Sequence, residues 1–236
     1  RVVGPSIAMA ERAGFYLPVA HVEGPNLSEP LVAEFFKALK EKRVIGHNLK
    51  YDFEVVAHNG YPLPERYFDT MIAAYLLNEK SVGLKDLAFS RLGIEMTEIS
   101  QLIGTGRAQL TMDVVAVADA SDYACADVEV TFALRDLFEP ELGARGLDSL
   151  MRDIEMPLVP VLAKMEQTGV AIDLAYLAAF SAEITERSKQ IEAEIYEAAG
   201  QTFNINSTKQ LATILFEELK LPAGKRTKTG FSVDQQ

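Results

Sequence analysis

Hydrophobic and polar positions fall into blocks whose period changes along the 236 residues. The first two blocks, VVGPSIAMAE and GFYLPVAH, alternate and predict two strands joined near Arg12-Ala13-Gly14. Ser28-Glu29-Pro30 has the make-up of a helix start, and Leu31, Val32, Phe35, Phe36 and Leu39 form one apolar face behind it. An apolar run then opens at Val44, turns polar at His47-Asn48 and delivers a carboxylate at Asp52, followed by Phe53, Val55, Val56 and Ala57. That order predicts a buried strand feeding a helix that ends near Asn59-Gly60. Asp69-Thr70 predicts a capped helix through Leu77, Leu84 to Leu92 another, and residues 97–112 a loop with Gly104 and Gly106. A long helix is expected over Ser121 to Phe138.

From Leu147 the pattern changes to an amphipathic helix through Thr168, a short GVAID strand, and a helix from Leu174 to Ala199. A further helix, Thr208 to Leu219, has Ser207 as its cap. Strands alternating with helices predict an α/β domain over residues 1–146, and the change of pattern predicts a mostly helical second part over 147–236. Leu177, Phe180, Ile184, Ile191 and Ile195 do not keep heptad spacing long enough for a coiled coil.

The candidate chemistry lies in carboxylates at element ends. Asp52 follows the carboxyl end of the Val44 strand, where open α/β sheets meet their ligands. Tyr123 and Asp127 are four apart, on one face of the long helix. Spacing alone also allows plain structural roles, with Asn48 as a helix cap and Asp52 in a first turn favoured by the helix dipole. Asp69 has the position of an N-cap more than of a metal ligand.

Composition narrows the field. With 48% apolar residues the chain can bury one good core, and it has no apolar run long enough to cross a membrane. The one cysteine, Cys125, excludes an internal disulfide and reads as a small core residue. The net charge of −11 divides unevenly: −8 over residues 1–150, −5 over 151–200 and +2 over 201–236. An acidic part suited to cations precedes a mildly basic tail suited to phosphates, although a solvated acidic surface gives the same total.

HNLKYD (His47 to Asp52), FDTM (Phe68 to Met71) and YACAD (Tyr123 to Asp127), taken together and in order, resemble the second and third exonuclease motifs of bacterial family A DNA polymerases. The tyrosine four residues before the last aspartate resembles the subclass with Tyr at that place. IEMPLVPVLAKMEQTGVAID (Ile154 to Asp173) and FNINSTKQLATILFEEL (Phe203 to Leu219) resemble the start of the polymerase domain and its thumb. The resemblance implies an α/β, ribonuclease-H-like (DEDDy-type) exonuclease domain followed by a mostly α-helical partial thumb. In that family an Asp-x-Glu motif on the central strand precedes the VVGPSIAMA strand. The chain therefore reads as a fragment whose exonuclease domain lacks its first strand and two bridging metal ligands.

The same resemblance implies two divalent ions, Mg²⁺ or Mn²⁺, with Asp127 and Asp52 as ligands and Tyr123 orienting a water. It implies DNA as partner, both a single-stranded 3′ end and a primer-template duplex, together with the remaining polymerase domain, in a bacterial cytoplasm at the nucleoid. Asn48, Tyr51 and Ile99 fall where relatives touch the 3′ end. Asn204, Asn206, Ser207, Lys209, Lys225, Arg226, Lys228 and Thr229 fall where the thumb grips duplex backbone. Two other readings stand beside this one: a catalytically silent DNA-binding scaffold, and a ribonuclease-D-like 3′–5′ exoribonuclease.

Overall fold

The apolar positions predicted over Ser121 to Phe138 do form one helix, and it is the longest element of the chain. In the computed structural model, which describes residues 2–10, 13–222, 226–227, 230–231 and 233, this helix runs Val117–Ala144. It continues past Phe138 in spite of Pro140 and buries Ala120, Val130, Thr131, Leu134, Phe138 and Leu142.

The other elements of the first compact unit, Arg1–Gly169, gather around it. They are β1 (Ser6–Ala8), β2 (Gly14–Tyr16), α1 (Glu29–Leu39), β3 (Arg43–Gly46), α2 (Leu49–His58), β4 (Arg66–Asp69), α3 (Thr70–Leu76), α4 (Leu84–Leu87) and α5 (Ile99–Ile103). The long helix is α6, followed by α7 (Asp148–Leu150) and α8 (Met156–Thr168). Wider i→i+5 turns extend α4 over Ala88–Leu92 and join α7 to α8 over Met151–Glu155. The unit is mixed α/β with helix predominating. β1 and β2 pair antiparallel, with Ser6 opposite Tyr16, and β3 and β4 pair in parallel, with Gly46 opposite Asp69. Among the described residues no backbone ladder joins the two pairs.

Each pair packs on α6. The hairpin does so through its glycine: a Cβ at Gly14 would lie 2.7 Å from Cys125 Cβ, and the Gly14 N–H donates to Glu129 Oε1 at 2.9 Å. Cys125, expected as a small core residue, packs against the hairpin but is half-buried and lies outside the core proper. Glu129 ties the hairpin down from a face of α6 about 200° from Asp127 and about 240° from Tyr123, at 100° per residue. The core proper joins Leu49 and Phe53 of α2, Phe68 of β4, Ala73 and Ala74 of α3 and Leu134 and Phe138 of α6.

Two expectations are corrected. The segment 97–112 is not all loop: a helix begins after Glu98 and stops at Gly104, whose φ of 76° few side chains tolerate. GVAID is not a strand; Val170 and Ile172 are 90% and 65% exposed, and without a paired edge their β-branched side chains carry no strand. The compact unit also runs on past residue 147, because Met151, Met156, Val159 and Ala163 bury into the same core and the Tyr67 hydroxyl donates to Met156 O at 3.0 Å.

The second compact unit, Val170–Gln236, contains α9 (Leu174–Ala199) and α10 (Thr208–Ala212), the latter extended by wider turns over Thr213–Glu218. Asp173 caps α9 through Tyr176 N at 2.9 Å, and Ser207 accepts from Gln210 N at 3.4 Å. A two-residue ladder pairs β5 (Arg226–Thr227) with β6 (Gly230–Phe231).

Phe138 is fully buried, whereas its neighbour Leu137 is 41% exposed. We expect Phe138→Ala to cost about 3–5 kcal/mol in urea denaturation and Leu137→Ala under about 1 kcal/mol. Equal losses would contradict this orientation of α6.

Candidate active site

Two places concentrate the chemistry: the turn from β3 into α2, and the face of α6 that carries Tyr123 and Asp127. The turn is organised by Asp69, which is 1% exposed. Because β3 and β4 are parallel with Gly46 opposite Asp69, the Asp69 carboxylate lies beside the start of α2 as well as that of its own helix. Oδ2 accepts from Leu49 N at 2.7 Å, and Oδ1 accepts from Asn48 N at 3.1 Å, Met71 N at 2.8 Å and Ile72 N at 3.4 Å. The N-cap role expected of Asp69 is therefore present, and it serves two helices. Asn48 occupies the cap position of α2 with φ 62° and ψ 48°, but its side chain makes no capping bond, which corrects the plain reading of that residue. A left-handed backbone turns the amide away, and Asp69 supplies the acceptor instead.

His47 braces the same turn. Its Nδ1–H donates to Thr70 Oγ1 at 2.9 Å, and the Thr70 hydroxyl donates to Gly46 O at 3.1 Å. Burial holds the imidazole below its ordinary pKa, against the opposing charge of Asp69. With the backbone fixed, the first turn of α2 presents Tyr51, 64% exposed, and Asp52. Solvent reaches Asp52, but protein crowds it from below. Loss of water, and then the charge of Asp69, push its carboxyl up to about 6.

On α6, Asp127 is half-buried and its Oδ1 has no hydrogen-bond partner. Burial pushes its pKa up to about 6, against the opposing pull of the Lys85 ammonium and the Tyr123 hydroxyl. By accessible surface Asp127 is the more enclosed of the two aspartates, yet loss of water raises both carboxyls alike. Lys85 of α4 was not marked by the sequence. Its Nζ donates to Tyr123 Oη at 3.3 Å and lies 4.7 Å from the centre of the Tyr123 ring. It also donates to Thr97 O and pairs with Glu98 at 3.8 Å.

The structure thus joins Asp52 with Asp69, and Tyr123 with Asp127 and Lys85; no direct interaction among the described residues links Asp52 to Asp127. Among the described residues no three His, Cys, Asp or Glu side chains cluster as a metal cage. The orphaned Oδ1 of Asp127 and the accessible Asp52 nonetheless have the donor chemistry that hard divalent cations take. Asp122 is exposed and Glu129 is committed to Gly14, so neither adds a ligand.

Ile99 opens α5 and is 43% exposed. In the second unit, Asn204 Oδ1 accepts from Asn206 N at 3.0 Å and Ser207 caps α10, while Lys209 is exposed. Arg226 lies in β5, and Lys225, Lys228 and Thr229 lie outside the described residues.

A family model described as 3′–5′ exonuclease matches residues 1–143, and one described as DNA polymerase family A matches 174–236. DNA polymerase I of Pseudomonas aeruginosa is 36% identical over 98% of this chain and 26% of its own length. The enzyme of the same name from Chloroflexus aurantiacus is 38% identical over 92% of this chain and 24% of its own. The chain therefore spans about a quarter of the length of these curated relatives. The polymerase domain of Pol1 from M. smegmatis, solved with DNA primer-template and dNTP, aligns with a TM-score of 0.66 at 26% identity, over 94% of this chain and 35% of that one. NrnC of Brucella melitensis, solved with pGG, aligns with a TM-score of 0.54 at 20% identity, over 74% and 80%. The second likeness is one of fold.

Two measurements test this geometry. Asp69→Ala strips acceptors from two helix starts and should cost about 2–4 kcal/mol; a loss under about 1 kcal/mol would mean the bonds to Asn48 and Leu49 are not made. Asp127 binds its proton more tightly in the folded chain than in the unfolded one, with the pKa raised from 3.8 to about 6. In that interval the folded state holds the extra proton, so this group's contribution to stability falls as pH rises from about 4 to 6 and is flat above. Without divalent cations, Asp127→Asn should therefore gain stability relative to the wild type across that interval in urea titrations. A constant difference would remove the enclosed-carboxylate assignment.

Proposed function

Because the chain belongs to the 3′–5′ exonuclease family that accompanies DNA polymerase family A, we propose that its first unit trims the 3′ end of DNA by hydrolysing the terminal phosphodiester. The reading takes the fold as the ribonuclease-H-like, DEDDy-type arrangement. Residues 1–146 form the exonuclease part and residues 147–236 the start of the polymerase part, although α8 packs into the first unit's core. The observation that carries the proposal is Asp127 itself, an enclosed carboxylate whose Oδ1 has no partner, one helical turn from a tyrosine hydroxyl.

Asp127 and Asp52 would hold two divalent cations, Mg²⁺ or Mn²⁺. When bound, such ions supply a hydroxide nucleophile at neutral pH and neutralise charge on the attacking and leaving oxygens. The rest falls to the chain. Tyr123 offers its hydroxyl to an attacking water and fixes the direction of approach. Tyr51, exposed beside Asp52, offers a ring on which a terminal base stacks without regard to sequence, and Asn48 offers an amide free of local bonds. Ile99 adds an apolar contact. Asn204, Asn206, Ser207, Lys209, Lys225, Arg226, Lys228 and Thr229 are assigned to the backbone of a primer-template duplex, with the remaining polymerase domain as the partner that completes the grip. Replication and repair in a bacterial nucleoid are the setting this reading implies.

A second reading, a DNA-binding scaffold without catalysis, is favoured by one observation: no three-ligand cluster forms among the described residues. Trimming of a 3′-mismatched DNA primer separates the two. The assay uses both this chain and a polypeptide of the relatives' full length, each with Mg²⁺ or Mn²⁺. Asp127→Ala and Asp52→Ala should each slow trimming by at least about a hundredfold. Trimming that survives both substitutions would remove the roles given to Asp52 and Asp127, and trimming absent from every wild-type protein would leave the scaffold reading standing. Faster trimming of RNA ends than DNA ends would instead move the substrate to RNA.

A further inference from the structure

We propose that Lys85 is a positioning residue for the exonuclease chemistry, setting the direction in which the Tyr123 hydroxyl donates its hydrogen; the inference rests on the exonuclease reading above.

Hydrogen-bond polarity fixes this arrangement. An ammonium has three donors and no acceptor, whereas a phenol oxygen both donates and accepts. The 3.3 Å contact between Lys85 Nζ and Tyr123 Oη therefore has one polarity: lysine donates and the phenol oxygen accepts. The phenol's own hydrogen is then directed away from Lys85, toward the side of α6 that carries Asp127, where a water held beside that carboxylate would receive it. Without Lys85 the hydroxyl could rotate and accept from a water instead of donating to one. The lysine is itself held. Its other bonds go to Thr97 O and the Glu98 carboxylate, its charge lies 4.7 Å from the Tyr123 ring centre, and its side chain is 22% exposed. An ammonium anchored from the 97–98 segment has little freedom to leave the phenol.

The alternative is that Lys85 only staples α4 to the segment that leads into α5. The test separates the two by asking whether the effect passes through Tyr123. Lys85→Met keeps the length and removes every donor, while Lys85→Arg restores donors and charge. In primer trimming, Lys85→Met should lower kcat about tenfold with KM unchanged within about twofold, and Lys85→Arg should recover most of the loss. In a Tyr123→Phe background, Lys85→Met should add no further loss, because its target is gone. A readout that needs neither cations nor DNA is the ¹³Cζ resonance of Tyr123 in tyrosine-labelled protein, assigned by its disappearance in Tyr123→Phe. It should shift in Lys85→Met and return in Lys85→Arg.

An unmoved resonance, or the same loss of kcat in the Tyr123→Phe background as in the wild type, would overturn the assignment and leave Lys85 a staple. If the resonance shifts as expected but Asp127→Ala trims as fast as wild type, the exonuclease reading has failed, and the inference about catalysis falls with it.

Discussion

One buried carboxylate holds the start of the site in place. Asp69 ends β4, begins α3 and caps α2, accepting four backbone N–H groups with two oxygens. Those donors belong to helix starts that have no intrahelical partner, so a single side chain relieves two sets of orphaned groups. Parallel pairing makes this possible. Gly46 and Asp69 are register partners, and the chain leaving β3 passes directly beside the acid that closes β4. Asn48, Tyr51 and Asp52 are therefore placed by a bond network in which none of their own side chains takes part.

The α6 helix solves a different problem, serving packing and chemistry at once without mixing them. Cys125 and Glu129 face the β1–β2 hairpin, where Gly14 permits a backbone approach that any side chain would block. Tyr123 and Asp127, on another face, meet Lys85 and remain incompletely bonded. Leu134, Phe138 and Leu142, further along, are held in the core. Leaving Asp127 short of partners has a stability cost, and that cost is borne by a helix anchored in the core through Leu134, Phe138 and Leu142.

Much of this was legible in the chain. The strand-to-helix passage at Val44–Asp52, the cap at Asp69 and the long third-motif helix follow from period and punctuation, which act locally. What escaped was non-local. Lys85 has no distinguishing neighbour in sequence; it meets Tyr123 only because α4 packs on α6. Asn48 looked like the cap of α2, since nothing local shows that an acid from the adjacent strand takes its place. GVAID has the composition of a strand and no edge to join, and α8 continues a core whose partners lie a hundred residues earlier.

The left-handed backbone at Asn48 also limits what its identity can reveal. Only glycine, asparagine and aspartate adopt that conformation at little cost. An asparagine there satisfies the turn before any ligand arrives, so its presence is weak testimony for binding, and replacing it by alanine would confound a strained backbone with a missing amide. Glycine at that position keeps the path of the chain and deletes the side chain alone. Its effect would therefore read out recognition rather than geometry.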